Sequence, residues 1–323
     1  MEYHLYHHDD LDGLACGAVM LEFLKSRGDK FSSHHPITYG AGISSENWVD
    51  FKFERPFMIF DFQYHPDAEW WVDHHASSAF EFIGGDYEDK YKNDKQHHFD
   101  GNAPSACGLM VRLLEDEHGF DVSNIIRTLA REVDIVDSAG FKSIEEALDF
   151  DRPIKQFDLL LSDIDIDQGN DEYYDLRVEL MNLLAVISLE DIVNDTKYKG
   201  RIIKLKNIEE QINEEVGQRG ELRGKVVFVD AHDMERVENY AALWKRFPDA
   251  PYAFLIKPEN KGFDKLRIIR NNWIKHDKEV NLGDLASKRG GGGHKGIGAI
   301  YAHGLEEAYK VADEIIDFVN KNG

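Results

Sequence analysis

Cysteine is nearly missing from this chain of 323 residues, which has only Cys16 and Cys107. Both fall in helix-like segments. They read as reduced core thiols of a cytoplasmic protein, so no disulfide is expected. Basic residues are also in short supply, with 38 Lys and Arg against 61 Asp and Glu, a formal net charge of −23. A nonspecific grip on long nucleic acid needs a basic track and is excluded. A small anionic substrate held by metal ions and a few cationic side chains is not. No apolar run approaches the roughly 20 residues of a membrane span. A strand begins almost at the first residue, so no signal peptide is expected. There is no internal repeat.

What is present is a globular composition, with 42% hydrophobic residues and enough length for two ordinary domains. The chain is organised around Trp70-Trp71-Val72-Asp73-His74-His75. This apolar run stops abruptly in a carboxylate and two imidazoles. A buried strand ending this way delivers side chains to a site at the carboxyl edge of a sheet. His-His pairs alone carry little weight, because His7-His8, His34-His35 and His97-His98 also occur. His34-His35 and His97-His98 sit in polar, loop-like surroundings and read as surface. Two other apolar runs, however, end as Trp70 to Val72 does. Leu5-Tyr6 leads into His7-His8-Asp9-Asp10-Leu11-Asp12-Gly13, and Phe57 to Phe60 leads into Asp61.

Taken in order, Tyr3 to Tyr6 is a strand, and Asp12-Gly13 opens a buried helix to about Lys25, with Asp12 available as its N-cap. Strands follow at Ile37 to Tyr39, Phe57 to Phe60 and Trp70 to Val72. Ser105 to Glu117 and Val122 to Val136 are helical. So is the acidic stretch from Ser143 to Glu215, interrupted by the turn Asp163 to Asp171. Asp163-Ile164-Asp165-Ile166-Asp167 lacks the Gly and Glu of a calcium loop and reads as a solvated turn. A second α/β pattern then begins. Gly224 to Asp230, Ala253 to Ile256, Leu266 to Arg270 and Ile297 to Ala302 are strands. Val237 to Phe247, Leu282 to Lys288 and Leu305 to Asn320 are helical. The expected fold is α/β: a largely parallel-sheet N-terminal domain over residues 1–190, a helical linker over 191–221 and a smaller α/β domain over 222–323.

Each candidate residue has an ordinary reading when taken alone. Asp12 would cap a helix, Asp61 would sit in a turn, His74 would be a core histidine, and Asp134 a solvated carboxylate at a helix end. Together His8, Asp10, Asp12, Asp61, His74 and Asp134 supply oxygen and imidazole ligands with no thiolate. That set suits Mn²⁺ or Mg²⁺ better than structural zinc. It exceeds the needs of one ion. Two ions about 4 Å apart, bridged by a carboxylate and a hydroxide, are a recurrent device for attack on phosphorus. Near the other end, Gly290-Gly291-Gly292-Gly293-His294 forms a side-chain-free turn whose N–H groups can approach an anion. It is no P-loop, because Lys295 follows His294 without a Ser or Thr. Arg270, Arg289 and Lys295 add positive charge around it. Gly runs are often linkers, and such cations often only solubilise a surface. This run, though, lies between a helix and a strand inside a compact unit.

The order His8-x-Asp10-x-Asp12-Gly13, Asp61, Asp73-His74-His75, an Asp near 134 and a terminal Gly-Gly-Gly-Gly-His294 resembles the DHH phosphoesterase superfamily with its DHH-associated C-terminal domain. The match touches both ends of the chain, with the motifs in family order. The short start and the overall size look most like nanoRNases and related cyclic-nucleotide phosphodiesterases, a group that also includes exopolyphosphatase-related chains. The resemblance implies that Asp61 bridges two ions, Asp12, His74 and Asp134 completing one and His8 and Asp10 the other. It implies that His75 contacts the scissile phosphate and that Asp73 orients the His pair. Gly291, Gly292, Gly293, His294 and Arg270 would bind the distal phosphate or nucleotide across an interdomain cleft. A longer form of the motif places a metal His four residues before the first Asp, where this chain has Tyr6. His7 therefore competes with His8, and Asp137 competes with Asp134, which is preferred for its register after the apolar helix.

The function expected is a cytoplasmic, Mn²⁺-dependent phosphodiesterase that cuts short oligonucleotides or cyclic (di)nucleotides to 5′-mononucleotides. No membrane partner is expected, and a homodimer is compatible with the sequence. The rival readings are a phosphatase on polyphosphate or on a nucleotide bisphosphate, and a metal-dependent nucleotide sensor. Phe263 and Trp273 are candidates for stacking bases, although either would more ordinarily pack in a core.

Overall fold

Side chains alternate along the central strands of the first sheet, and the alternation sorts them into two separate cores. The computed structural model describes residues 1–38, 48, 50–75, 94–163, 166, 169–234, 236–237, 239–259, 263–276 and 278–323, with backbone only at 258, 259, 263 and 294. Strands β1 (Glu2–His8), β2 (Lys30–Ile37), β3 (Phe57–Phe60), β4 (Trp70–Asp73) and β5 (His97–Phe99) form one sheet in the order β2-β1-β3-β4-β5. Every neighbouring pair in it is parallel. Leu5, Met58, Phe60, Trp70 and Val72 point to one face. Tyr6, Phe57, Ile59 and Trp71 point to the other. A parallel sheet covered on both sides is why these strands read as continuous apolar runs rather than alternating ones.

The larger core holds helix α1 (Leu11–Ser26), which is buried along nearly its whole length, together with α2 (Ala106–His118) and α3 (Asn124–Asp137). Gly13 allows α1 to start hard against β1, since a Cβ there would sit 2.2 Å from the His8 carbonyl oxygen. The short helix α4 (Ile144–Ala147) follows, and then α5 (Pro153–Leu161), α6 (Asp171–Leu184), α7 (Leu189–Asn194) and α8 (Thr196–Arg219).

The chain divides into two compact units, residues 1–140 with 150–205 and residues 141–149 with 206–323. The division falls inside α8, the helix expected to link the domains. Residues 141–149 join the second unit. There β6 (Glu221–Arg223), β7 (Val226–Asp230), β8 (Tyr252–Glu259), β9 (Phe263–Arg270), β10 (Gly292–His294) and β11 (Ile297–Ala302) form a sheet in the order β10-β11-β9-β8-β7-β6. Only β7 and β8 pair in parallel. Helices α10 (Leu282–Ser287) and α11 (Leu305–Asn322) pack on one face of it. Helix α9 (Ala241–Arg246) packs on the other. No helix among the described residues is long and apolar enough to cross a membrane.

Several local expectations are corrected. The second strand covers Lys30–Ile37 rather than beginning at Ile37, so His34 and His35 lie on a strand, and Tyr39 is outside the described residues. His97 is buried at the start of β5, where Nε2 bonds the Ala68 carbonyl at 2.8 Å. The Asp-rich turn is not wholly solvated, because Asp163 is buried and paired with Arg201, while Asp165 and Asp167 fall outside the described residues.

Trp71, with Trp48, is among the largest side chains of the smaller core. It is fully buried, and its indole N–H donates to the Phe62 carbonyl at 2.8 Å. Trp71→Ala is expected to cost about 3–5 kcal/mol of unfolding free energy, read by urea denaturation. A loss below about 1 kcal/mol would contradict the packing described.

Candidate metal centre

The carboxyl edge of the parallel sheet gathers the ligand-type residues. β1 ends in His8 and turns through Asp9 and Asp10 into α1. Asp10, not Asp12, is the N-cap, and its Oδ1 accepts the Gly13 N–H at 3.0 Å. This frees Asp12 for a different task. Its two oxygens accept the N–H groups of Ala106 (2.7 Å) and Cys107 (2.8 Å), the first turn of α2. A carboxylate is stabilised there by exposed backbone donors and the helix dipole.

Asp61 follows β3 directly with φ 55°, a left-handed conformation that non-glycine residues seldom adopt. Its backbone N–H still bonds the Val72 carbonyl at 2.8 Å. The side chain is fully buried, and neither oxygen has a hydrogen-bond partner among the described residues. The two oxygens face different donor groups. Oδ2 lies 3.5 Å from His8 Nδ1, which is itself 2.6 Å from Asp10 Oδ2. Oδ1 lies 3.6 Å from His74 Nε2 and 3.4 Å from His75 Nδ1. His74 Nε2 is also 3.6 Å from Asp12 Oδ2 and 3.2 Å from Asp137 Oδ2. His8, Asp10 and Asp61 thus form one ligand-type cluster, and Asp12, His74 and Asp137 another, with Asp61 in contact with both.

The imidazoles are oriented from behind. His74 Nδ1 bonds the Ala103 carbonyl at 3.1 Å, which makes Nδ1 the protonated nitrogen and leaves the Nε2 lone pair toward the carboxylates. Asp73 Oδ1 accepts the backbone N–H groups of His74 (2.8 Å) and His75 (3.1 Å) and meets His75 Nδ1 at 2.9 Å. One buried carboxylate therefore shapes the turn and aims its second histidine.

The electrostatics are those of a crowded anionic site. Burial pushes Asp12 up to about 7, with the Asp10 charge adding to it. Asp61 and Asp137 are raised well above the usual carboxylate range by burial and by neighbouring aspartates. Burial opposes charge on His8, yet the carboxylates around it, Asp10 first, lift it to about 9. Buried carboxylates with oxygens left over, beside imidazole lone pairs and without thiolate, are a donor set that fits hard to borderline divalent cations.

Asp134 is not in this cluster. Its Oδ1 accepts the Ser105 hydroxyl at 2.6 Å and lies over Gly108, where a Cβ would meet it at 2.3 Å. Asp137, one helical turn on, is the residue that reaches His74. Asp134 instead holds the N-cap of α2, since Ser105 Oγ accepts the Gly108 N–H at 2.9 Å. His7 also turns away from the cluster, with Nε2 2.6 Å from His34 Nε2, and burial lowers its pKa to about 4. Sequence reasoning missed Asp9, whose carboxylate meets Arg177 Nε at 2.6 Å and the Tyr173 hydroxyl, both from α6. Nothing local in the sequence marks a partner more than 160 residues away.

In the second unit, Gly291, Gly292 and Gly293 form a hairpin arm rather than a loose turn. Gly292 pairs with Ala299, Gly293 with Gly298, and the His294 backbone with Ile297. A Cβ on Gly291 would sit 2.0 Å from the Ala299 carbonyl oxygen, so the glycines permit close pairing. β10 is an edge strand, with one side unpaired within the sheet. Arg270 lies beside the hairpin, its N–H on the Gly296 carbonyl at 2.9 Å, and its guanidinium pairs with Glu279 at 2.9 Å. Lys295 shares Glu279 at 2.7 Å, and Arg289 faces Glu314 at 3.8 Å. The His294 and Phe263 side chains lie outside the described residues. Trp273 Nε1 donates to the Phe141 carbonyl at 2.8 Å, and the ring packs on the core of this unit.

No family model and no curated protein matches the sequence. Solved structures do. A pGpG-specific phosphodiesterase, PggH from Vibrio cholerae, aligns over 99% of this chain and 100% of its own with a TM-score of 0.69 at 19% identity. An exopolyphosphatase-related protein from Bacteroides fragilis aligns over 99% and 93%, with a TM-score of 0.51 at 13% identity. RecJ from Thermus thermophilus in complex with Mn²⁺ aligns over 99% of this chain and 52% of its own, with a TM-score of 0.52 at 11% identity. This chain shares its fold with these proteins, the fold that the DHH resemblance of the sequence implies. The parallel five-stranded sheet and the second sheet with its helices are the two α/β units expected of the DHH fold from the sequence.

Asp137 and Asp134 offer a direct check, because both are aspartates of α3 and only one faces the cluster. Asp137→Asn is expected to weaken binding of one Mn²⁺ at least tenfold in a calorimetric titration. Asp134→Asn should leave both affinities within about twofold and instead lower thermal stability. The reverse pattern would overturn the assignment.

Proposed function

We propose that this protein is a divalent-metal-dependent phosphodiesterase of the cytoplasm that hydrolyses short oligonucleotides or cyclic (di)nucleotides to 5′-mononucleotides. The observation that carries the reading is Asp61, a buried carboxylate whose two oxygens face two separate ligand clusters. Asp12, His74 and Asp137 would hold one ion and His8 and Asp10 the other, with Asp61 common to both. Mn²⁺ is the preferred ion for this mixture of oxygen and imidazole donors. Such a pair supplies Lewis-acid activation of water and neutralises charge on phosphoryl oxygens.

The chain's own residues do the rest. The turn built on Asp73 holds the His75 ring through Nδ1 and leaves Nε2 to contact the scissile phosphate. Ala103 keeps His74 in the ligating tautomer. Asp10 serves twice, as a ligand and as the α1 cap, so the first cluster moves with the start of α1. In the second unit the open edge of Gly291–Gly293, with His294 and Arg270, would take the distal phosphate or nucleotide. Glu279, which Arg270 and Lys295 share, would have to give up one of them to an anion. The size class of substrate is drawn from PggH, whose name specifies the dinucleotide pGpG. The net charge of −23 favours small substrates over long nucleic acid.

A panel of dinucleotides, cyclic nucleotides, a nucleotide bisphosphate and polyphosphate, each incubated with Mn²⁺ and analysed for products, tests the reading. Mononucleotides from the dinucleotides, abolished by excess chelator and restored best by Mn²⁺, are expected. Turnover of polyphosphate alone, or turnover in excess chelator, would contradict it.

Two substitutions test the division of labour. His74→Ala should abolish turnover of every substrate, including the small diester bis-p-nitrophenyl phosphate. His294→Ala should cost about ten- to a hundred-fold in kcat/KM on a dinucleotide, the worth of roughly 1.5–3 kcal/mol for a charged hydrogen bond. It should spare the small diester. Equal loss on both substrates would make His294 part of the chemistry.

A further inference from the structure

On the opposite half of β1 from the candidate metal centre, two histidines and a glutamate converge without any part in that centre. His4 Nδ1 lies 3.7 Å from Glu54 Oε2, and His35 Nε2 lies 3.8 Å from Glu54 Oε1. The same two nitrogens both address one hydroxyl, Ser33 Oγ, at 2.7 and 2.5 Å. A hydroxyl has one proton to donate, so it satisfies only one of two imidazole lone pairs. Ser32 Oγ also lies 3.4 Å from His4 Nδ1, but it donates to the Tyr3 carbonyl at 3.1 Å, so one ring must turn donor or leave its lone pair to something else.

A β-bulge creates this convergence. The pairing of β1 with β2 slips between Tyr3, which faces Phe31, and His4, which faces Ser33. Beyond the slip, Ser33 and His35 share a face with His4 and Tyr6, and His34 goes to the opposite face, against His7. Without the extra residue the alternation would be reversed, and His34 would stand beside Tyr6 in place of His35. Tyr6 fixes the arrangement from beneath. Its ring stacks on His35 with centroids 4.5 Å apart, and its hydroxyl accepts the Glu54 N–H at 3.2 Å. The histidine side chains are 18% and 33% exposed and Glu54 is 63% exposed, which leaves the cluster open to solvent on one side.

We propose that His4, His35 and Glu54 form a second cation site, for one borderline transition-metal ion such as Zn²⁺. Metal–ligand bonds of about 2.0–2.2 Å in a tetrahedron put neighbouring donor atoms about 3.4 Å apart. The 3.7 and 3.8 Å separations need a few tenths of an ångström of closure, and all three donor atoms lie within 4.8 Å of one another. Two imidazoles and one carboxylate favour zinc-like ions over Mg²⁺ or Ca²⁺, and the solvent side leaves a fourth position for water. Four residues of strand separate His4 from His8, about 13 Å of backbone, so this ion is distinct from the pair in the candidate metal centre. Its ligands come from β1, from the edge strand β2 and from the segment before β3, and it would pin that edge.

Equilibrium dialysis of the full chain against Zn²⁺ tests the proposal, with bound metal counted by elemental analysis. The variant His4→Gln/His35→Gln is expected to bind one equivalent fewer than the native chain, while Mn²⁺-supported cleavage of bis-p-nitrophenyl phosphate is retained. Glu54→Gln changes an exposed side chain and keeps the fold, and should weaken that one equivalent at least tenfold. An unchanged count in the first variant, or an unchanged affinity in the second, overturns the site.

Discussion

The buried carboxylate of Asp61 is the constraint on which the carboxyl edge of the parallel sheet depends. A fully buried Asp with no hydrogen-bond donor on either oxygen among the described residues is costly, and the surrounding aspartates increase the cost. On top of burial, Asp12, Asp61 and Asp137 raise one another's pKa values together with Asp10, so those raised values share one cause in crowded like charge. Divalent ions held there would remove that repulsion and supply partners for the Asp61 oxygens. The φ of 55° at Asp61 belongs to the same economy, since it turns the side chain into the cluster while the backbone keeps its bond to β4.

The rest of the first unit serves to hold the cluster still. Asp134 fixes Ser105, Ser105 caps α2, and the first N–H groups of α2 grip Asp12. Arg177 and Tyr173 anchor Asp9 and with it the turn between β1 and α1. Asp73 sets the turn that carries His74 and His75. Aspartates outside the two ligand clusters thereby hold the residues within them.

Much of this was legible in the sequence, because strands buried on both faces write themselves as apolar runs and stop where the polar edge begins. Three such runs ending in His and Asp were enough to assemble His8, Asp10, Asp12, Asp61 and His74 before any coordinates. The register after the apolar helix favours Asp134 over Asp137, and only the packing of α3 on Gly108 separates the two. Asp12 was read as a cap because its true partners, Ala106 and Cys107, are over 90 residues away. His34, His35 and His97 looked like loop residues because polar strands lack the apolar signal. The glycine run looked like a flexible turn for a related reason. Absent side chains suggest freedom, whereas here they let β10 pair closely with β11.

The central claim is that Asp61 joins two ion sites. Electron paramagnetic resonance of the protein loaded with two equivalents of Mn²⁺ reads this directly. An exchange-coupled spectrum is expected for the native chain, and the six-line signal of isolated ions for Asp61→Asn. An isolated-ion spectrum from the native chain would contradict the account.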